Sequence, residues 1–292
     1  MRGCRPGILL VLLAMTAVGC TRNADMAAPL VTPHVTLTPV DPAVGSPVEM
    51  KFRFEVASNA TFGEDHVLFV HFLDQDRELM WTDDHMPPVP TSQWKSGTTV
   101  EYTRETFIPR FPYVGEVRVE VGLVSPKTGE RVPMAGENKG QRSIQVATFN
   151  MRLQSDNVFV VFKDGWQATE VSGEGAGLEW QWSKKEGILA LRNPMRDAVL
   201  YLLMDQPVSE AGQTRVEVRI GAVVLDSFTV AAADGRVLRK VPVSQGQFGG
   251  AETVEIVVAV DKTFVPATIP SMKNSDAREL GIRLFRAFIQ PK

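Results

Sequence analysis

Cysteine is nearly absent from this chain. Only Cys4 and Cys20 occur in 292 residues. A disulfide framework is therefore excluded, and any exported domain has to be held together by its apolar core. Long hydrophobic runs are just as scarce. The longest, residues 8–18, is broken by Thr16. It falls short of the roughly 20 apolar residues that a membrane-spanning helix needs, and no later run approaches that length. An excess of positive charge is missing too. With 31 Lys and Arg against 34 Asp and Glu the formal net charge is −3, which lacks the electrostatic footprint of a nucleic-acid binder. Histidine is limited to four residues. No HExxH, CxxC, GxSxG or Cys–His arrangement is present. No window of about 12 residues carries helical periodicity, and there is neither a short-period repeat nor a low-complexity tract.

The first twenty residues have the order of an export signal. Arg2 and Arg5 supply a positive start, residues 8–18 an apolar stretch, and Ala17-Val18-Gly19-Cys20 a run of small residues ending in cysteine. This order resembles the lipobox of bacterial lipoproteins, with Ala17 standing where Leu is most frequent. The resemblance implies cleavage before Cys20 and diacylglycerol on its thiol. The alternative is an ordinary secretory peptide cut nearby, with Cys20 left as a spare thiol. On the lipoprotein reading residues 1–19 form the signal peptide and Cys4 leaves with it. The remaining 273 residues carry no free thiol. Their formal charge is −5, because Arg2 and Arg5 are lost. Several acyl chains on one residue exceed the single chain that gives only marginal membrane binding. The expected location is the cell envelope. Because Thr21 rather than Asp follows the cysteine, the usual sorting rule gives the outer membrane in a host with two membranes.

Residues 20–33 are small, polar and proline-containing, and read as a tether. From there strand periodicity dominates. Val48, Met50, Phe52, Phe54 and Val56 alternate with Glu49, Lys51, Arg53 and Glu55; Val117, Val119, Val121 and Leu123 alternate with Glu116, Arg118 and Glu120. Each is a half-buried strand with one wet face. Residues 67–73 are almost continuously apolar and predict a central strand. Asp41-Pro42, Ser96-Gly97 and Lys127-Thr128-Gly129 supply turns. The second half predicts strands over 158–162, 178–182, 188–191, 199–203, 214–220, 223–230, 237–243, 253–260 and 281–289, with Asp234-Gly235 as a hairpin turn. The expected fold is all-β: two antiparallel β-sandwich domains, Ig-like or jelly-roll-like, over residues 34–150 and 151–292. The boundary falls near residues 150–156.

Two stretches carry family likenesses. Phe69-Val70-His71-Phe72-Leu73-Asp74 is followed by Asp83-Asp84, Pro87-Pro88 and Pro90-Thr91-Ser92-Gln93-Trp94-Lys95-Ser96-Gly97. Then come Val121-Gly122-Leu123 and Pro126-Lys127-Thr128-Gly129-Glu130-Arg131. Over residues 34–148 this series resembles sandwich domains attached to bacterial integral-membrane glycosyltransferases of the polyprenyl-phosphate-sugar type. Val124 stands where those domains usually have Tyr. The second stretch comprises Gly165-Trp166, Glu170, Trp180-Gln181-Trp182, Asn193-Pro194, Phe264-Val265-Pro266 and 275–281. Over residues 157–290 it resembles a jelly-roll, carbohydrate-binding-module-like domain found beside cell-surface polysaccharide enzymes. Neither likeness brings the catalytic membrane part of those enzymes.

Three tryptophans are the candidate ligand residues. Trp180 and Trp182 lie two apart and so share one strand face, and Trp166 precedes them. An indole face stacks on a sugar ring; equally, large aromatics fill sandwich cores. The best candidate grouping for a metal is His71 with Asp83, Asp84 and His85, and it lacks compact ligand spacing. Asp74-x-Asp76 lacks the glycine and downstream glutamate of a calcium loop. No cofactor is expected. The leading expectation is a non-catalytic, lipid-anchored binding or scaffolding protein, partnered with the membrane through its lipid and with cell-surface polysaccharide or envelope proteins. The alternatives are a metal-dependent or carboxylate-based hydrolase around His71, Asp83 and Asp84, and a structural subunit of an envelope assembly.

Overall fold

A computed structural model describes residues 27–110, 112–154, 159–172 and 178–292. Residues 1–19, expected to form a signal peptide, and Cys20 lie outside the described residues. The first half contains β1 (Val31–Thr38), β2 (Pro47–Val56), β3 (Val67–Leu73), β4 (Leu79–Thr82), β5 (Thr99–Phe107), β6 (Gly115–Val124), β7 (Glu137–Asn138) and β8 (Ile144–Met151). They form a three-stranded sheet in the order β1-β2-β5 and a five-stranded sheet in the order β4-β3-β6-β8-β7. Every named pairing is antiparallel. The alternation in β2 sends Met50, Phe52 and Phe54 inward, where all three are 0% exposed. They meet Leu68, Val70 and Phe72 of β3 and Val117, Val119, Val121 and Leu123 of β6. Each fully buried side chain of this size contributes about 1.5–3 kcal/mol, which is how this core holds without a disulfide. Trp94 closes one end of it, its ring against Phe54 and Phe62 and its Nε1 donating to Val89 O at 2.9 Å.

The second half contains β9 (Val160–Phe162), β10 (Glu170–Val171), β11 (Glu179–Trp182), β12 (Glu186–Arg192), β13 (Ala198–Asp205), β14 (Thr214–Ile220), β15 (Val223–Val230), β16 (Val237–Val243), β17 (Thr253–Val260) and β18 (Arg283–Pro291). Two five-stranded sheets result, β15-β14-β17-β12-β9 and β10-β11-β18-β13-β16. Their inner faces share a second core, with Leu189, Leu200, Leu202, Val218, Ile256, Val258 and Ile289 among its members. The fold is thus all-β, with two sandwich cores.

One expectation is corrected. Asp234-Gly235 does not close a hairpin. A short 3-10 turn, Ala232–Asp234, ends at Gly235 and joins β15 of one sheet to β16 of the other. The chain crosses the sandwich there, because β16 pairs with β13 and β15 with β14. The two halves also touch. Phe107 of β5 sets its ring edge-on to Tyr201 and Phe288, each at 6.5 Å between centroids. Lys240 of β16 reaches back to Glu105 and Glu49.

Candidate functional site

The pattern Glu179-Trp180-Gln181-Trp182 places both indoles on one face of β11. Register supplies their neighbour. β18 lies beside β11 with Arg283 opposite Trp182, and Asp205 of β13 opposite Arg283 on the far side. The Arg283 guanidinium donates to Asp205 through Nε at 2.7 Å and Nη2 at 2.6 Å. It lies 5.0 Å from the Trp180 ring centre, 5.7 Å from that of Trp182 and 5.3 Å from that of Phe285. A cation at such distances over an aromatic face is attracted by the ring quadrupole. One charged hub therefore fills the space between the two indoles.

The three tryptophans have different surroundings. Trp182 is 8% exposed and packs edge-on against Phe264. Trp166 packs on the second core, donates from Nε1 to Ile188 O at 2.9 Å and meets Phe162 edge-on. It belongs to a different contact set from the Arg283 hub. Trp180 is half-buried, and its buried Nε1 has no hydrogen-bond partner among the described residues. An indole N–H left without an acceptor costs about 1–3 kcal/mol. Trp180 also lines a cavity of about 250 Å³ with Phe162, Glu179, Phe285, Arg286 and, from the first half of the chain, Arg110. Burial, then the like charge of Arg110, pulls the Arg286 guanidinium below its ordinary pKa, while Glu179 acts the other way.

The metal candidates are dispersed among structural contacts. Arg104 of β5 holds Asp83 in a two-point pair at 2.8 and 2.9 Å. His85 contacts Asp83 O through Nδ1 at 2.7 Å and the Tyr102 hydroxyl through Nε2 at 2.8 Å. These contacts clasp the loop after β4 to the opposite sheet. Burial lowers the His85 pKa and raises that of Tyr102; the bonded carboxylate of Asp83 raises that of Arg104. His71 stands 3.9 Å from Asp84 Oδ1, and that oxygen already accepts the Val70 N–H. Among the described residues no group of three or more His, Cys, Asp and Glu is placed to hold a metal ion.

The other motif residues are structural. A side chain on Gly187 would meet the Trp166 ring at 2.5 Å, and one on Gly281 would meet Ser183 Oγ at 2.4 Å. Arg278 binds Asp276 and Glu170 and so ties the loop before β18 to β10. The site residues that sequence reasoning missed are Arg283, Asp205, Phe285, Arg286 and Arg110. An arginine and a phenylalanine two apart in the central strand of a sheet carry no motif, and only pairing brings them to Trp180.

No protein-family model matches the chain, and no curated protein does. Solved structures give remote likenesses. The CBM36-1 domain of a multidomain xylanase from the hindgut metagenome of Trinervitermes trinervoides aligns at 10% identity and a TM-score of 0.29, over 47% of this chain and 98% of that one. A carbohydrate-binding module of the β-sandwich superfamily, described as promiscuous in specificity, aligns at 11% identity and a TM-score of 0.21, over 90% of this chain and 99% of that one. The Pseudomonas fluorescens alkylpurine DNA glycosylase AlkC, bound to DNA with an abasic-site analog, aligns at 18% identity and a TM-score of 0.28, over 43% of this chain but only 31% of the glycosylase. At these scores the ligands of those proteins have no bearing on this one.

Proposed function

We propose that this chain is a lipid-anchored, non-catalytic protein of the cell envelope that binds surface glycan through its second sandwich. The observation that carries the glycan reading is Trp180: a half-buried indole whose N–H has no partner among the described residues, at the wall of a cavity with aromatic and charged sides. Sugar recognition asks for an apolar surface against ring C–H groups, with a few polar groups fixing orientation. The order of Arg2, Arg5, the apolar stretch and Gly19-Cys20 supports the lipid anchor. The non-catalytic part is supported by Asp83 and His85, which are committed to Arg104 and Tyr102.

Affinity electrophoresis of the mature chain through gels containing neutral and acidic polysaccharides tests this reading, together with an assay for newly released reducing ends. The expected result is retardation in at least one gel and no release, with retardation lost in Trp180→Ala. Release of reducing ends would favour the hydrolase. Free migration in every gel would leave no glycan role.

A further inference from the structure

The cavity beside Trp180 is assembled from both halves of the chain, and it holds two cations. Arg110 follows β5 and Arg286 lies within β18; neither guanidinium has an ion pair or hydrogen bond among the described residues. Three other arginines contrast with them. Arg283 is held by Asp205, Arg239 by Asp226 and Arg104 by Asp83. Half-buried Arg286 feels the like charge of the exposed Arg110 and has no carboxylate bonded to it among the described residues, with Glu179 only partly offsetting its burial; taking a charge from water without a bonded partner is costly. Among the described residues Glu179 is the one acid on the cavity wall, so these three charged groups sum to one net positive charge.

The walls narrow the class of anion. Phe162, Trp180 and Phe285 give the cavity an apolar side. A bare inorganic anion or a carboxylate on a flexible chain leaves that side unused. A pyranose with a carboxylate at C5 uses both, because its C–H face meets the aromatics and its two oxygens match the planar guanidinium fork.

We propose that this cavity binds the uronate residues of an acidic polysaccharide, with the carboxylate held between Arg110 and Arg286 and the sugar ring against Trp180. This rests on the glycan reading above and names its ligand class. The lowered pKa of Arg286, caused first by burial and then by Arg110, fits a site that gains from an incoming negative charge. Since Arg110 and Arg286 come from different sandwiches, the bound uronate also ties the two domains together.

The experiment is calorimetric titration of the mature chain, Arg110→Gln and Arg286→Gln with oligogalacturonate, with a neutral galactan oligomer of equal length, and with polyglutamate. Melting temperatures are measured in parallel to confirm folding. Oligogalacturonate is expected to bind the native chain at least about tenfold more tightly than either other probe. Each substitution should weaken it by about tenfold or more, the worth of one charge-assisted pair, without lowering the melting temperature. Equal affinity for the acidic and neutral oligomers, or native-like oligogalacturonate binding by both variants, would overturn the uronate assignment while leaving the glycan reading standing. Polyglutamate binding as tight as oligogalacturonate would reduce the site to a general anion trap and overturn it as well. Failure of the folded native chain to bind either oligomer would overturn the glycan reading itself.

Discussion

Indole N–H groups set Trp94 and Trp166 apart from Trp180. Trp94 and Trp166 donate to backbone carbonyls inside the fold, whereas the buried Nε1 of Trp180 has no acceptor among the described residues. Trp182, buried against Phe264, should behave as core, and Trp182→Ala should cost about 3–5 kcal/mol by chemical denaturation. Trp180→Ala leaves a half-exposed gap and should cost less than about 2 kcal/mol. Equal losses would show that both indoles are core. The shared face of this pair was legible from their spacing. Their partner was not, because Arg283 arrives from a strand about a hundred positions later and only register sets it opposite Trp182. His85 gives a pH signature. Burial lowers its pKa below the ordinary 6.5, so the unfolded chain binds the proton more readily than the folded one. The resulting stability is present above about pH 6.5 and is lost as pH falls towards the lowered folded value. Denaturation midpoints should therefore fall between pH 7 and pH 5, and His85→Gln should flatten that slope.

Strand alternation made most elements readable, because a sheet with one buried face writes its period of two into the sequence. β2 and β17 follow that alternation, whereas β6 follows it only at its start: Glu120, expected on the wet face, is 4% exposed and held by Arg77 and Ser143. The order of strands within each sheet was not readable, since β12 pairs with β17 and β13 with β18 across long stretches of intervening chain. Asp234-Gly235 shows the limit: a good turn dipeptide fixes the local backbone, but not which sheet the chain enters next. The turn before Trp166 is more demanding. Gly165 has φ +86°, and a side chain there would lie 1.9 Å from Glu186 O, which is backbone of β12. Gly165→Ala should lower stability by more than about 2 kcal/mol, through strain and loss of the Trp166 seat. An unchanged thermal melt would contradict that local geometry.

The two sandwiches are distinct in their cores and joined at one seam. Phe107 against Tyr201 and Phe288, and Lys240 against Glu49 and Glu105, hold β2 and β5 of the first beside β13, β16 and β18 of the second. Arg110 enters the Trp180 cavity from that seam, so domain placement builds the candidate site. This is why the site was only partly legible: aromatic candidates can be picked from one strand, while charges from two domains meet only after both have folded. The proposed lipid at Cys20 would hold this assembly at a membrane surface, within reach of polysaccharide there. The most direct measurement follows the five tryptophan indole N–H resonances of the mature chain during titration with oligogalacturonate. The Trp180 resonance should move in proportion to site occupancy, while those of Trp94 and Trp166, already bonded to backbone carbonyls, stay in place. A saturating titration that leaves Trp180 unmoved, or that moves only the first-domain tryptophans, would contradict a glycan site in the second sandwich.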